Sequence, residues 1–170
     1  LVKRGVKQTA GWAAVVSRLF AEPSTGRACI FYYHRIADVG FTDRTVDDWN
    51  VTPEQFERQI ATLARTAEIV PLIDLLDRLK TKTSSAKPLV SLTFDDGYAN
   101  FHSQALPILK RYHAPATAFV VTGSIGNSEP MPFDHWANRN LSRALSHTWR
   151  PLNWDELEDC VRSGLVTIGA

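Results

Sequence analysis

The chain has 170 residues, of which 44% are hydrophobic and 22% are charged, and its formal net charge is +1. These values exclude a disordered, collagen-like or low-complexity chain, and the length suits one domain with a sizeable core. The nearly balanced charge gives no support for a nucleic acid partner.

The two cysteines, Cys29 and Cys160, are far apart in the sequence. A disulfide framework is therefore not expected. No apolar stretch approaches the roughly 20 residues that span a bilayer, so no transmembrane segment is predicted.

At the N-terminus, Lys3, Arg4 and Lys7 precede a short apolar stretch. That stretch is too short to favour a cleaved signal peptide. We expect an amphipathic helix over residues 6–20 within an N-terminal helix and linker over residues 1–27. The absence of a clear signal favours a location in the cytoplasm or at the membrane periphery.

The next segments predict a strand and then a helix. Cys29–Tyr33 is apolar and aromatic, which is typical of a buried strand, and His34 stands at its end. Thr52 opens a capping box with proline at the first helical position, and apolar residues then recur at helical spacing. A helix over 52–66 is predicted.

The middle of the chain repeats this alternation. We expect a short strand at 69–72, a helix at 73–80, a strand at 89–94 and a helix at 98–112. Within that last helix, Pro107 is expected to introduce a kink or a restart.

The final third is less regular. Ala116–Thr122 predicts a buried strand, and residues 123–150 predict a long loop with some helix at 135–147. Asn153 opens a second capping box, which predicts a last helix that ends at Gly164. A strand is expected to follow at 165–168.

Alternating strands and helices predict an α/β fold with a mainly parallel sheet. In such folds the reactive groups collect at the carboxyl ends of the strands. Two segments place polar residues there, one at residues 33–35 (Tyr-His-Arg) and the other at residues 95–97 (Asp-Asp-Gly).

Adjacent carboxylates directly after a buried strand are costly unless they are paired, hydrogen-bonded or bound to a cation. A cation held by one of them would leave the other ionised as a general base. The alternative is a simple turn in which Asp96 caps the next helix. The buried strand before the pair and the helix after it favour a site.

These residues also carry a resemblance. The segments TFDDG at 93–97 and FYYHRI at 31–36 resemble motifs of the polysaccharide deacetylases, which are also known as NodB-homology domains. Residues 91–126 are similar to that family nearly throughout, and the resemblance extends over 28–170.

The resemblance implies the N-terminal part of a deformed (β/α) barrel over residues 28–170. It implies metal-dependent removal of acetyl groups from amino-sugar polymers or lipid-linked sugars. By position, Asp95 would be the general base and Asp96 a ligand of a divalent metal, with zinc expected. From its place at a strand end, His34 is expected beside this site, where it either contacts substrate or the metal region or is only a partly buried histidine that ends the strand.

The sequence departs from the family in one respect. The family's His-x-x-x-His pair, which supplies the other two metal ligands, normally follows a segment such as residues 167–170, where this chain ends. We therefore expect a truncated domain that is weakly active or inactive. A strand edge exposed near Leu165–Ala170 is expected to favour self-association.

Two other interpretations remain. In the first, the chain is a non-catalytic remnant that binds glycans or a partner protein. Trp136, Trp149 and Trp154 then either stack on sugars or anchor the core. Alternatively, an acid pair with magnesium would serve phosphotransfer, although Thr122–Ser124 is a weak candidate for the phosphate loop that this chemistry needs.

Overall fold

The computed structural model describes residues 2–5, 27–38, 49–83, 85–135, 137 and 149–170. The strands in these residues are β1 (Val2–Gly5), β2 (Ala28–Tyr33), β3 (Arg35–Ile36), β4 (Asn50–Val51), β5 (Glu68–Ile69), β6 (Leu89–Phe94), β7 (Ala116–Phe119) and β8 (Val166–Gly169). The α-helices are α1 (Pro53–Thr66), α2 (Leu72–Lys80), α3 (Leu106–Arg111) and α4 (Trp154–Arg162).

The main sheet runs in the order β1-β2-β6-β7-β8, with β5 also paired to β6, and every pairing is parallel. The predicted α/β class with mainly parallel strands is confirmed. β2 and β6 pair along their whole length, from Ala28 opposite Leu89 to Tyr33 opposite Phe94. The two strands therefore end level with each other, and the residues that follow them meet at one edge of the sheet.

The core lies on the faces of this sheet. All six residues of β6 are buried, as expected for a central parallel strand. The ring of Phe94 contacts the rings of Tyr33, Phe56 and Phe101, with centroids 4.7–5.6 Å apart. These contacts join β2, α1 and the segment after β6 into one packed unit directly below the strand ends.

Both predicted capping boxes are present. The Thr52 hydroxyl accepts a hydrogen bond from the Gln55 N–H, and the Asn153 side chain accepts one from the Glu156 N–H. The helix after Asn153 ends before Gly164, which has a left-handed φ of +70°.

The helix predicted at 98–112 is divided. A π-helical turn at Phe101–Ala105 precedes α3, and Pro107 lies in the first turn of α3. Because proline lacks an N–H, it cannot donate to the carbonyl four residues earlier, and a wider turn before it accommodates that loss. The predicted restart at Pro107 is thus observed.

Two strands are shorter than predicted. β5 covers Glu68–Ile69, and β7 ends at Phe119, before a single 3₁₀ turn at Thr122–Ser124. The helix expected at 6–20 lies outside the described residues, as does most of the one expected at 135–147.

Within the described residues, β1 and β8 are the end strands of the main sheet. Self-association through β8 stays a prediction. None of the described helices is both long and apolar enough to span a bilayer.

Candidate active site

The acid pair begins where the β-ladder ends. The Asp95 N–H donates to the Tyr33 carbonyl at 2.8 Å, which extends the pairing of β2 and β6 by one residue. Asp96 and Gly97 then take left-handed φ angles of +71° and +69°. Aspartate is one of the few non-glycine residues that adopt this conformation readily. Two successive left-handed residues turn the chain away from the sheet and leave both carboxylates at its edge.

Glycine is required at position 97 by packing as well as by φ. A Cβ added to Gly97 would lie 2.9 Å from the Val120 side chain, which follows β7. The Gly97 carbonyl also accepts a hydrogen bond from the Leu152 N–H at 2.8 Å. The turn is therefore fixed by the neighbouring strand and by the segment before α4.

His34 lies next to the acid pair, as the level strand ends predict. Its Nε2 is 3.9 Å from Oδ2 of Asp96, and both side chains are largely buried, with 17% and 25% of their surface exposed. Asp95 is also partly buried. The structure thus brings together the three residues that the sequence singled out.

Burial sets the protonation of this cluster. It raises the pKa of the Asp96 carboxyl, and the nearby His34 offsets this only in part. Burial also lowers the pKa of the His34 imidazole, against the opposing effect of Asp96. Since a lowered pKa favours the uncharged form, we expect His34 to be neutral at pH 7 and able both to donate and to accept a hydrogen bond.

A buried arginine follows His34. Arg35 is 3% exposed, and its guanidinium lies 3.3 Å from Oδ1 of Asp134 and 4.0 Å above the Trp149 ring. The Tyr98 hydroxyl lies 2.9 Å from both carboxylate oxygens of Asp134. These contacts join the strand end after His34 to two segments that are distant in the sequence.

The aromatic residues divide by burial. Trp149 is 2% exposed and packs on Arg35, so it is an anchor rather than a sugar-stacking surface. Trp154 is 65% exposed and lies beside Gly126. Trp136 lies outside the described residues.

Sequence reasoning did not identify Trp49, whose ring lies 4.7 Å from the His34 ring, centroid to centroid. It placed Arg35 at a strand end without assigning it a role, and it did not identify Asp134 or Tyr98 as its neighbours. A polar residue after a strand was the only available signal for Arg35, because its acidic partner is 99 positions away in the sequence.

A tightly bound divalent metal needs several protein ligands close to one point. Over the described part of the chain, no three His, Cys, Asp or Glu side chains lie close enough together to hold one. Catalytic zinc sites use three protein ligands. Asp96 and His34 offer one carboxylate and one imidazole, so the described residues do not make a complete zinc site.

Comparisons with known proteins identify the family of this chain. The family model "Polysaccharide deacetylase" matches residues 82–170. The chain is 34% identical over 115 residues to the poly-beta-1,6-N-acetyl-D-glucosamine N-deacetylase of Staphylococcus epidermidis, which is 66% of this chain and 37% of that protein. It is 33% identical over 119 residues to the Staphylococcus aureus protein of the same name, covering 64% of this chain and 41% of that one. The chain thus spans about two fifths of the length of these relatives.

Solved structures support the fold. IcaB from Ammonifex degensii matches with a TM-score of 0.63 at 22% identity, over 84% of this chain and 52% of that one. A de-N-acetylase from Aggregatibacter actinomycetemcomitans also matches with a TM-score of 0.63 at 22% identity, over 84% of this chain and 53% of that one. Because the family model covers more than half of the chain and includes the acid pair, the chain belongs to the polysaccharide deacetylase family of hydrolases.

Proposed function

We propose that this chain takes part in the hydrolytic removal of acetyl groups from the amino sugars of a polysaccharide or a lipid-linked glycan. The observation that carries this proposal is the pair of partly buried carboxylates at the carboxyl end of β6, with His34 beside them. The family and the names of the relatives point to the same chemistry, with poly-β-1,6-N-acetyl-D-glucosamine as the polymer to test.

In this proposal Asp95 is the general base. Its backbone N–H donates the ladder hydrogen bond to the Tyr33 carbonyl, which holds residue 95 at the edge of the sheet. There its carboxylate can take a proton from the water that attacks the acetyl carbonyl. His34, neutral at pH 7, contacts the substrate through a hydrogen bond.

Asp96 is proposed as a ligand of a divalent cation, with zinc expected. When bound, such an ion polarises the acetyl carbonyl and lowers the pKa of water. Because the described residues lack a group of three metal ligands, we expect weak binding and weak or no turnover by the 170-residue chain alone.

The region proposed for this activity is residues 28–170. Residues 1–27 were expected to be an N-terminal helix and linker, but within them Val2–Gly5 instead form β1, which pairs with β2 in the main sheet. The support is that β2, at the start of this region, pairs with all of β6 in the same sheet that contains β7 and β8. Residues that precede the family match therefore form part of the site.

A second candidate is a non-catalytic module that binds the glycan. The lack of a three-ligand group among the described residues favours it. The two candidates share a binding site and differ only in whether acetate is released.

The experiment is an acetate-release assay on β-1,6-linked N-acetylglucosamine oligomers, with zinc or cobalt supplied. Any release by this chain is expected to be slow, and the Asp95→Asn substitution should reduce it by about 100-fold or more, the usual effect of losing a general base. Oligomer binding is measured on the same samples by NMR titration.

Three outcomes are distinguishable. Release that depends on Asp95 supports the deacetylase proposal. Binding with no release above the Asp95→Asn level supports the glycan-binding candidate. A chain that neither binds the oligomers nor releases acetate contradicts both candidates.

A further inference from the structure

We propose that Trp49 forms a sugar-binding subsite beside the acid pair, on which the sugar ring next to the one being deacetylated stacks. This inference rests on the proposed function and adds a residue that fixes how a polymer, rather than a single sugar, is held.

The backbone holds Trp49 in place. Its carbonyl accepts a hydrogen bond from the Arg35 N–H at 3.2 Å, and the next residue, Asn50, is paired with Arg35 in the β3–β4 ladder. The Asn50 side chain also donates to the Ala37 carbonyl at 2.8 Å. Trp49 is thus attached to the strand end that directly follows His34.

The side chain of Trp49 lies at the rim of the site. Its ring meets the His34 ring at 62°, with 4.7 Å between centroids, and His34 Nε2 is 3.9 Å from Asp96. Yet Trp49 is 45% exposed. The contact with His34 therefore leaves much of the indole open to solvent, next to partly buried catalytic groups.

An exposed indole suits one class of ligand here. The C–H groups on one face of a pyranose ring form an apolar surface that packs on a flat aromatic ring, while the hydroxyls stay in water. Aromatic side chains combined with a few polar groups are typical of small-ligand sites. Trp154 is more exposed, but it lies beside Gly126, so position and not exposure alone distinguishes Trp49.

The geometry also indicates which ring of the polymer stacks on Trp49. Trp49 contacts His34, and His34 in turn lies 3.9 Å from Asp96, so a whole imidazole links the indole to the acid pair. A ring that stacks on Trp49 is therefore not the ring whose acetyl group meets Asp95, but its neighbour in the polymer. Trp49 is expected to contribute to the binding of oligomers and not of single sugars.

The test compares a β-1,6-linked N-acetylglucosamine tetramer with the monosaccharide, by NMR titration of the 170-residue chain. We expect Trp49→Ala to weaken tetramer binding about tenfold, which corresponds to about 1.4 kcal/mol, and to leave monosaccharide binding within about twofold. Trp49→Phe, which keeps a flat ring, retains most of the tetramer affinity. The matched control, Trp154→Ala, leaves both affinities unchanged.

A second NMR measurement uses the unsubstituted chain, so its result does not depend on whether the variants fold. The indole N–H signal of Trp49 is expected to shift on adding tetramer and not on adding monosaccharide. The inference is overturned if Trp49→Ala binds tetramer as tightly as the parent chain, if it loses both ligands equally, or if Trp154→Ala has the same effect. Failure of the parent chain to bind either sugar instead contradicts the proposed function on which the inference rests.

Discussion

Asp96 combines an unusual backbone conformation with a carboxylate that is costly to ionise. Burial raises its pKa in the folded chain, so the folded state binds this proton more tightly than the unfolded state does. Stability is therefore lost as the pH rises through the ordinary aspartate range and beyond, up to the raised pKa. A neutral, isosteric asparagine, which also tolerates a positive φ, avoids that loss.

We predict that Asp96→Asn raises the melting temperature at pH 7 and that the gain disappears at about pH 3, where aspartate is protonated in both states. The measurement is thermal unfolding at both values with EDTA present. A lower melting temperature for Asp96→Asn at pH 7 would show that the carboxylate stabilises the fold and contradict this account.

Gly97 allows a prediction that separates packing from backbone conformation. Gly97→Ala adds a Cβ 2.9 Å from Val120 at a φ of +69°, whereas Gly164→Ala adds one in open space at a φ of +70°. We expect Gly164→Ala to cost about 1 kcal/mol for the conformation alone, and Gly97→Ala about 2–4 kcal/mol. Chemical denaturation of both variants measures the difference, and equal losses would show that the close approach to Val120 is unimportant.

At the level of residues, the sequence predicted the site residues whose positions are set by the ends of strands. Asp95, Asp96 and His34 meet because two parallel strands stop level with each other, and apolar runs followed by polar residues reveal such ends. Trp49 directly precedes β4, a strand of two residues that is too short to leave a periodic pattern.

At the level of helices and strands, the two capping boxes offer a direct test. Thr52→Ala and Asn153→Ala each remove the side-chain acceptor for a helix N–H, and we expect a loss of about 1 kcal/mol from each. That loss corresponds to a fall of about 2–4 °C in melting temperature for a protein of this size. Thr62→Ala, within α1, is the control, because its hydroxyl donates only to the carbonyl of the preceding turn, at Arg58. Equal effects at Thr52 and Thr62 would rule out a capping contribution.

The Arg35–Asp134 pair links elements that no local signal connects. Arg35→Met leaves the Asp134 carboxylate buried without the guanidinium 3.3 Å away, and we expect a loss of about 3–5 kcal/mol. Adding Asp134→Asn removes that charge and keeps an acceptor for Tyr98, so the double variant should be more stable than Arg35→Met alone. Denaturant unfolding of the set measures this, and a double variant less stable than Arg35→Met would contradict the ion-pair explanation.

Helices and strands were largely predictable because their signals are local: apolar periodicity, capping residues and glycine at a helix end. The π-helical turn at Phe101–Ala105 was not, since it depends on how the chain relieves the constraint at Pro107. The short extent of β5 was also not predicted, because the length of a strand depends on how much of a neighbouring strand it pairs with. In β6, only Leu89 and Val90 pair with β5.

On the scale of the whole molecule, the parallel sheet explains why the proposed site residues lie together at one edge. The alternation of strands and helices predicted that sheet, but it gave no strand order, which follows from pairings between distant segments. The N-terminal strand Val2–Gly5, beside β2, had no predictive signal in its basic sequence. The acid pair stands at the end of β6, which pairs with both β2 and β7.

We propose that Asp96 offers a carboxylate to a divalent cation, next to Asp95 as the proposed general base. Paramagnetic broadening of NMR amide signals by a low concentration of Mn²⁺ tests it most directly, because the method detects even weak binding. We predict that the signals of His34 and of residues 95–97 broaden first and that Asp96→Asn abolishes this effect. Broadening centred elsewhere, or unchanged in Asp96→Asn, would contradict the claim.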